Sequence, residues 1–449
     1  MLLNLVYHLI LMSNQFNNFL NNNKFEFRKD IKVFIPYLLP FLLIFSRSIA
    51  DITIVLISTL FLYKSFREKN WEWVKNKWFI FILIFWLYCI LINSYLSIAP
   101  LESLAYSIFF IRWPLFAIAL AYWIFKDLKD LKRFLFSMTI VLIFIIFDTW
   151  WQFVFTRDLF GFEHFSPGRL TGPFEGNPHV GAWLAKLALI PPLILVIYNH
   201  FKLSINQNIL IYSSFIITTI LFLTVFISGE RMALLLILSC IFFYFLGLIF
   251  YKKISRYKIL TVLILSIFCV GIFANLFPES SQRAIFSTID KIINWKSSDY
   301  GLVWKSAYDV WMQSPFFGAG LHKYREACVN LGIYGTSHLD SIGGGVCFHP
   351  HNISLELLSE TGLFGFLLFY LMVISLLISN LKNYFLKRDW LSFSLIFSVI
   401  FTCFLPIASS TSFFSNKYGA IIWLLVGTML SVNKITGNLI TSNNKKNTP

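Results

Sequence analysis

The sequence predicts an all-α polytopic membrane protein with about twelve transmembrane helices. Hydrophobic residues make up 57% of the 449-residue chain, charged residues make up 13%, and the mean hydropathy is +0.70. Apolar runs long enough to cross a bilayer recur along most of the chain. Soluble domains carry about 25% charged residues, so this composition excludes that class and indicates a protein that uses lipid as its solvent.

A window of about 19 residues defines the predicted helices. The first two are short and are separated only by Arg47–Asp51, so we expect them to form a tight hairpin. The predicted segments are 33–48, 51–65, 78–96, 104–125, 134–155, 179–198, 209–228, 231–251, 258–276, 353–380, 390–409 and 418–432.

The distribution of cations predicts the orientation in the membrane. With twelve helices the basic loops all fall on one side, which the positive-inside rule assigns to the cytoplasm together with both termini. The net charge of +15 comes mostly from these loops. It therefore does not indicate a nucleic-acid-binding surface, and we expect no nucleic-acid partner. The loop cations are Lys64, Arg67, Lys69, Lys75, Lys77, Lys126, Lys129, Lys132, Arg133, Lys252, Lys253, Arg256, Lys258, Lys382, Lys387 and Arg388.

The chain divides into three parts. Residues 1–276 carry the first nine predicted helices, and residues 351–449 carry the last three with a cytoplasmic tail. Between them, residues 277–350 form one large external loop, called the cap below. Its acidic and basic residues are matched in number, which suggests a folded unit. Apolar spacing predicts a helix over Trp304–Met312, and proline and glycine predict a turn over Ser314–Leu321, so we expect a helical hairpin on the membrane surface.

Two of the six cysteines, Cys328 and Cys347, lie in the cap, whereas the others fall inside predicted helices. In an oxidising periplasm such a pair can form a disulfide that stabilises the cap by about 3 kcal/mol. The alternative is a metal site that combines Cys347 with His349 and His351. Its spacing does not match the usual zinc motifs, so the disulfide is favoured and no metal is assigned.

The most specific motif is His-Asn-x9-Gly-x2-Gly, which runs from His351 to Gly365. On a continuous α-helix His351, Gly362 and Gly365 would share one stripe, with Glu356 and Glu360 on the opposite side. The imidazole would then lie above a groove of glycines that lets a neighbouring helix approach closely.

This motif resembles the signature of the O-antigen ligase and polymerase superfamily, membrane enzymes that move lipid-linked oligosaccharides. Three further clusters support the resemblance: Arg169–Val180 before the sixth helix, Ser228–Arg231 where the family has an arginine, and an Arg-x-x-Cys pattern that ends at Cys328. One position departs from the family. Many relatives carry an arginine four residues before the tryptophan of the cap helix, and here Tyr300 stands four before Trp304.

The resemblance implies a fold of the glycosyltransferase C class in the bacterial inner membrane, with the active site facing the periplasm. It implies a donor glycan on undecaprenyl diphosphate and an acceptor that is lipid A-core or another glycolipid. We expect inverting transfer without a cofactor or metal, because arginines can neutralise the leaving diphosphate and the sequence has no Asp-x-Asp motif.

The same chemistry assigns roles to individual residues. A neutral histidine can accept the proton of an attacking hydroxyl, so His351 is the expected general base. The expected ligands of the donor diphosphate are Arg231, Arg325, Arg169 and Lys186. Arg325 is the first candidate to replace the missing family arginine, with Arg283 and Lys305 as reserves.

Other interpretations stay open at this point. His351 could have no catalytic role and simply precede Asn352, which caps the helix. Arg231 could be an interfacial arginine whose aliphatic side chain lies along the apolar membrane region while its guanidinium stays at the surface. A polymerase of the same superfamily would share the donor site and the base. A transporter or flippase would bind near the bilayer midplane between internal repeats. The polar clusters lie on the external side here and no repeat is visible, which argues against transport.

Overall fold

The computed structural model describes residues 27–174, 176–201, 207–251, 255–333, 345–387, 389–408 and 411–446. Within these ranges the regular structure is helical, and pairing between extended segments is limited to two isolated β-bridges, Arg157–Glu163 and Ser166–Arg169. The predicted all-α architecture is therefore confirmed.

The α-helices are numbered in chain order. They are α1 (Phe27–Ile44), α2 (Arg47–Arg67), α3 (Lys77–Tyr88), α4 (Pro100–Phe110), α5 (Arg112–Ala119), α6 (Leu128–Phe155), α7 (Val180–Leu187), α8 (Ile190–Phe201), α9 (Gln207–Ile227), α10 (Arg231–Phe250), α11 (Arg256–Leu276), α12 (Pro278–Ser281), α13 (Ser287–Ile293), α14 (Asp299–Gln313), α15 (Tyr324–Asn330), α16 (Ile353–Lys387), α17 (Trp390–Phe404) and α18 (Asn416–Lys446). Helices α3 and α5 each continue into one π-helical turn, Cys89–Asn93 and Leu120–Ile124.

Nine helices in the described ranges are long and apolar enough to cross a membrane. They are Ser48–Arg67, Pro100–Ile124, Leu128–Phe155, Val180–Ile197, Asn208–Ile227, Arg231–Phe250, Ile259–Leu276, Ile353–Leu381 and Tyr418–Gly437. Three further apolar helices are shorter: Phe34–Ile44, Lys77–Asn93 and Trp390–Phe404. Each segment overlaps one of the predicted spans. The chain is a multi-pass membrane protein, while a count of twelve crossings stays a prediction.

Small residues allow the helices of the core to approach closely. A Cβ on Gly247 of α10 would lie 2.7 Å from the Cβ of Ser394 in α17, and a Cβ on Gly419 of α18 would lie 2.9 Å from the indole of Trp113 in α5. Such contacts are typical of helix packing in lipid. In contrast, only 6% of the α11 span is buried, as expected of a helix that faces lipid.

Helix α16 is broken at Gly362, where φ is 66° and ψ is −172°. The backbone of the turn Ser314–Leu321 passes this break, and a Cβ on Gly362 would lie 2.3 Å from the carbonyl oxygen of Phe316. The N–H of Leu363 donates to the carbonyl of Pro315 (2.9 Å). The predicted continuous stripe of histidine and glycines is therefore wrong. Gly362 admits the backbone of the cap, not a neighbouring helix.

Asn93, in the π-helical turn that follows α3, fixes this part of the cap to the bundle. Its Nδ2 donates to the carbonyl oxygens of Phe317 (2.7 Å) and Glu360 (2.9 Å), and its Oδ1 accepts from the N–H of Leu321 (3.0 Å). Asn93 is fully buried. One side chain thus satisfies backbone groups of the cap turn and of α16 just before its break.

The cap has a small hydrophobic core of its own. Its buried apolar residues are Val303, Ala307, Val310, Ala319, Tyr324, Ala327, Cys328, Val346 and Cys347. Helix α14 contains the predicted segment Trp304–Met312, and the predicted turn follows it. The sulfur atoms of Cys328 and Cys347 are bonded to each other in the structure, which links α15 to the segment that enters α16.

Candidate active site

The loop before α7 and the turn before α10 pack against each other through two glycines. Gly229 has a φ of 68°, and a Cβ on it would lie 1.9 Å from the carbonyl oxygen of Gly168. A backbone hydrogen bond of 3.2 Å joins the two segments beside this contact. The packing brings together Arg169 and Arg231, each of which follows one of these glycines within two residues.

Arg283 of the cap completes a group of three arginines, called the arginine cluster below. Its Nε donates to the carbonyl oxygen of Gly229 (3.1 Å). Burial lowers the pKa of Arg283, and the charges of Arg169 and Arg231 lower it further. The Nε atoms of Arg169 and Arg231 are buried and have no hydrogen-bond acceptor among the described residues. Adjacent cations with buried, unsatisfied donors suit a ligand with several negative charges.

Tyr300 lies near both the arginine cluster and His351. The centroids of the Tyr300 and His351 rings are 6.1 Å apart, with the rings nearly perpendicular. Burial raises the pKa of Tyr300, whereas the charges of Arg231 and Arg169 act in the opposite direction. Tyr300, which occupies the position of the family's arginine, thus lies near Arg169 and Arg231. The cap contributes its cation to this cluster from Arg283 instead.

His351 precedes α16 instead of belonging to it. Its φ of 50° is in the left-handed region, which is uncommon for a residue other than glycine. The Nε2 of His349 and the Nδ1 of His351 are 2.9 Å apart. Asn352 Oδ1 accepts hydrogen bonds from two backbone amides in the first turn of α16 (3.0 and 3.2 Å). Asn352 is therefore the residue that caps the helix.

Glu230 is an acidic neighbour of the arginine cluster. Its carboxylate accepts hydrogen bonds from the N–H groups of Gly181 (2.6 Å) and Ala182 (3.3 Å) at the start of α7. Burial raises the pKa of Glu230 to about 7, although the charge of Arg169 and these hydrogen bonds lower it. The charge of Glu230 therefore changes near neutral pH, and the net charge beside the arginine cluster changes with it.

A cavity of about 790 Å³ lies beside the two histidines and is called the polar cavity below. Its walls come from α2, the segment before α7, the cap, α16 and the segment before α18. Arg325 and Phe348 line it from the cap, and the Arg325 guanidinium carbon is 5.7 Å from the centre of the Phe348 ring. His349 lines it as well, so the polar cavity reaches the histidine pair.

Two glutamates of α16 hold the walls of the polar cavity in place. Glu356 accepts hydrogen bonds from the N–H of Phe413 (3.0 Å) and from the hydroxyl of Ser412, and Glu360 accepts one from the N–H of His322 (2.7 Å). Both carboxylates line the polar cavity beside the histidines. Their predicted position on the far side of the helix is therefore wrong, because the histidines precede the helix.

Lys186 lies deeper in the bundle. It is 1% exposed, and its Nζ is 4.5 Å from the centre of the Tyr418 ring. It lines a small pocket with His179 and Thr411, both of which also line the polar cavity. Lys186 is thus placed below the polar cavity.

The structure brings Arg169 and Arg231 together and places His351 close to them. Arg325 lies on the polar cavity, and the reserve candidate Lys305 is exposed to solvent. The sequence predicted Arg283 only as a reserve ligand, and it placed His349 only in the disfavoured metal site, with no catalytic role. The position of His349, two residues before His351, could have predicted its proximity to the base. No local sequence pattern indicates a role for Arg283.

Comparison with known proteins identifies the central part of the chain. Residues 216–370 match the family model described as O-antigen ligase. The match runs from α9 through the cap into α16, so it contains the histidine pair and two members of the arginine cluster, while Arg169 and Lys186 precede it. A search of curated proteins found no match.

Proposed function

We propose that this chain, which belongs to the O-antigen ligase superfamily on the match over residues 216–370, is a ligase-type glycosyltransferase. It would transfer a glycan from undecaprenyl diphosphate to lipid A-core, or to another glycolipid, at the periplasmic face of the bacterial inner membrane. The observation that carries the proposal is the histidine pair beside the arginine cluster, where two buried Nε donors lack an acceptor among the described residues.

The arginine cluster is assigned to the donor diphosphate. Guanidinium groups bind phosphate oxygens through forked hydrogen bonds and keep their charge at all working pH values. The two unsatisfied Nε donors of Arg169 and Arg231 would gain acceptors when the diphosphate binds. As the bond between the anomeric carbon and the diphosphate breaks, its electron pair goes to the leaving oxygen, and the arginines stabilise that charge.

His351 is assigned as the general base. Its Nδ1 faces His349 at 2.9 Å, so we assign proton transfer to Nε2. The acceptor hydroxyl would give its proton to this nitrogen while its oxygen bonds to the anomeric carbon. A single displacement of this kind inverts the anomeric configuration. The left-handed backbone at His351 is a strained conformation of the type found at active sites.

A polymerase, which would add glycan to another lipid-linked repeat, is the alternative with the same donor chemistry. The lipopolysaccharide profile of a deletion strain separates the two functions. Loss of a ligase leaves lipid A-core bare while lipid-linked polymer accumulates. Lipid A-core that carries a single repeat would indicate a polymerase, and an unchanged profile would remove both assignments.

A further inference from the structure

Arg325 and the arginine cluster belong to different sites. Arg325 lines the polar cavity together with Phe348, whereas the positive charges that act on Arg283 and Tyr300 are those of Arg169 and Arg231. The Arg325 guanidinium lies over the Phe348 ring at 5.7 Å. A guanidinium on a ring face keeps its N–H donors at the edge of its plane, where they can bind an anion. The chain therefore has a second cationic position, on the polar cavity that His349 also lines.

The chemistry of the polar cavity suits a carbohydrate. Its volume of about 790 Å³ lies within the range of sites for small ligands. Hydroxyl and amide side chains line it from the segment before α18 and from the start of α18, namely Ser412, Ser415 and Asn416. The carboxylates of Glu356 and Glu360 add acceptors for sugar hydroxyl groups.

The polar cavity also lies next to the histidine pair, where the attacking hydroxyl must be bound. His349 is 6% exposed, lines the polar cavity and is 2.9 Å from the Nδ1 of His351. A sugar in the cavity can therefore present a hydroxyl to the histidine pair while the diphosphate occupies the arginine cluster. Lys186, which is 1% exposed and lines a small pocket next to the polar cavity, adds a buried positive charge to this side of the site.

We propose that the polar cavity binds the acceptor and that Arg325 determines its specificity by binding an anionic substituent, a phosphate or a carboxylate, on the acceptor sugar. This inference rests on the proposed function. It moves Arg325 from the set of expected diphosphate ligands to the acceptor site.

Steady-state transfer by the purified full-length chain tests the role of Arg325. The donor is held at saturation, and the acceptor is lipid A-core, used intact, after removal of its phosphates, or after reduction of its carboxylates. Arg325→Gln should raise the KM for the intact acceptor by about tenfold to a hundredfold, the loss expected for one charge-assisted hydrogen bond, with an unchanged KM for the donor. Lys305→Gln removes an exposed cation of the same cap and is the matched control.

The altered acceptors identify the anionic group. If phosphate is recognised, its removal should raise the wild-type KM to that of Arg325→Gln and have no further effect in that variant. If carboxylate is recognised, reduction should do the same. Equal wild-type KM values for all three acceptors, or an effect of Arg325→Gln on the donor KM alone, would overturn the inference.

A binding experiment decides the question even if no transfer is detected. A photoreactive benzoylphenylalanine at Phe348, which is 55% exposed and lines the polar cavity, is irradiated in cells, and the attached lipid is identified by mass spectrometry. The same group at Phe286, an exposed cap residue outside the cavity lining, is the control. Capture of an anionic glycolipid at 348 alone, reduced by Arg325→Gln, supports the inference. Capture of only the diphosphate-linked donor, or of the same lipids at both positions, would refute it.

Discussion

Gly229→Ala should separate the arginine cluster without removing any charge. The new Cβ would lie 1.9 Å from the carbonyl oxygen of Gly168, where ordinary contact begins at 3.4 Å. The two backbone segments must therefore move apart by about 1.5 Å, since the clashing atom is a backbone oxygen and not the end of a flexible side chain. Alanine also takes the left-handed φ of 68° at a cost of about 1–2 kcal/mol.

Both effects give measurable outcomes. A displacement of about 1 Å at an active site can reduce the rate about 10²-fold, so transfer should fall by about that factor, and the donor KM should rise because Arg169 and Arg231 no longer converge. The free energy of unfolding should fall by about 1–3 kcal/mol, which leaves a folded protein for the assay.

The assay combines donor titration of transfer with thermal unfolding of the purified protein. Gly271→Ala is the control, because a Cβ at Gly271 in α11 meets no atom within 4 Å. It should keep wild-type kinetics. A Gly229→Ala protein with wild-type donor KM and turnover would refute the argument that this glycine contact assembles the diphosphate site.

The disulfide, the buried glutamate and the second histidine provide three more tests. Cys328→Ser should lower the stability of the cap by about 3 kcal/mol in a denaturant titration; free thiols at Cys328 and Cys347 in protein purified without reductant would contradict the pairing. Glu230 is uncharged below its pKa of about 7, so donor affinity should be highest at low pH and fall as pH rises through that value. Glu230→Gln should retain the high affinity at every pH, and a donor KM that still varies would assign the titration to another group. His349→Phe keeps a ring but removes the Nε2 that faces His351, so it should shift the pH profile of kcat and leave the donor KM unchanged; an unshifted profile would restrict His349 to packing.

The helices could be predicted from the sequence because the requirement of the membrane is local. Each apolar run must satisfy its backbone groups within itself, so hydropathy alone indicates a helix there. Helix ends were predicted less well. The first hairpin was expected to break at Arg47–Asp51, whereas α2 already begins at Arg47, with Ser46 accepting a hydrogen bond from the N–H of Ile49 (3.4 Å).

The break in α16 could not be predicted from helical spacing. The motif from His351 to Gly365 fits a continuous helix by periodicity, but Gly362 lies against the backbone of Phe316 from a different segment. Only glycine allows that approach, and the sequence does not say which segment makes it. Both glycines of the motif therefore make close contacts, as predicted. The predicted partner, a neighbouring helix, is right for Gly365, where a Cβ would lie 3.1 Å from the ring of Tyr88 in α3, and wrong for Gly362.

The arginine cluster was predicted only in part for the same reason. Arg169 and Arg231 lie in short polar segments that interrupt apolar runs, which marks them locally. Arg283 lies in a cap segment without such a signal, and it joins the cluster because its Nε donates to the carbonyl of Gly229. Long-range backbone contacts of this kind are absent from hydropathy and spacing.

The most direct test of the central claim is the turnover of His351→Asn at saturating donor and acceptor. Asparagine accepts the left-handed φ of 50° at this position and removes the imidazole, so the backbone should be kept. If His351 is the general base, turnover should fall by about 10²–10⁴-fold while the donor still binds to the arginine cluster with wild-type affinity. Wild-type turnover in this variant, with the protein folded and the donor bound, would contradict the assignment of His351 as the base.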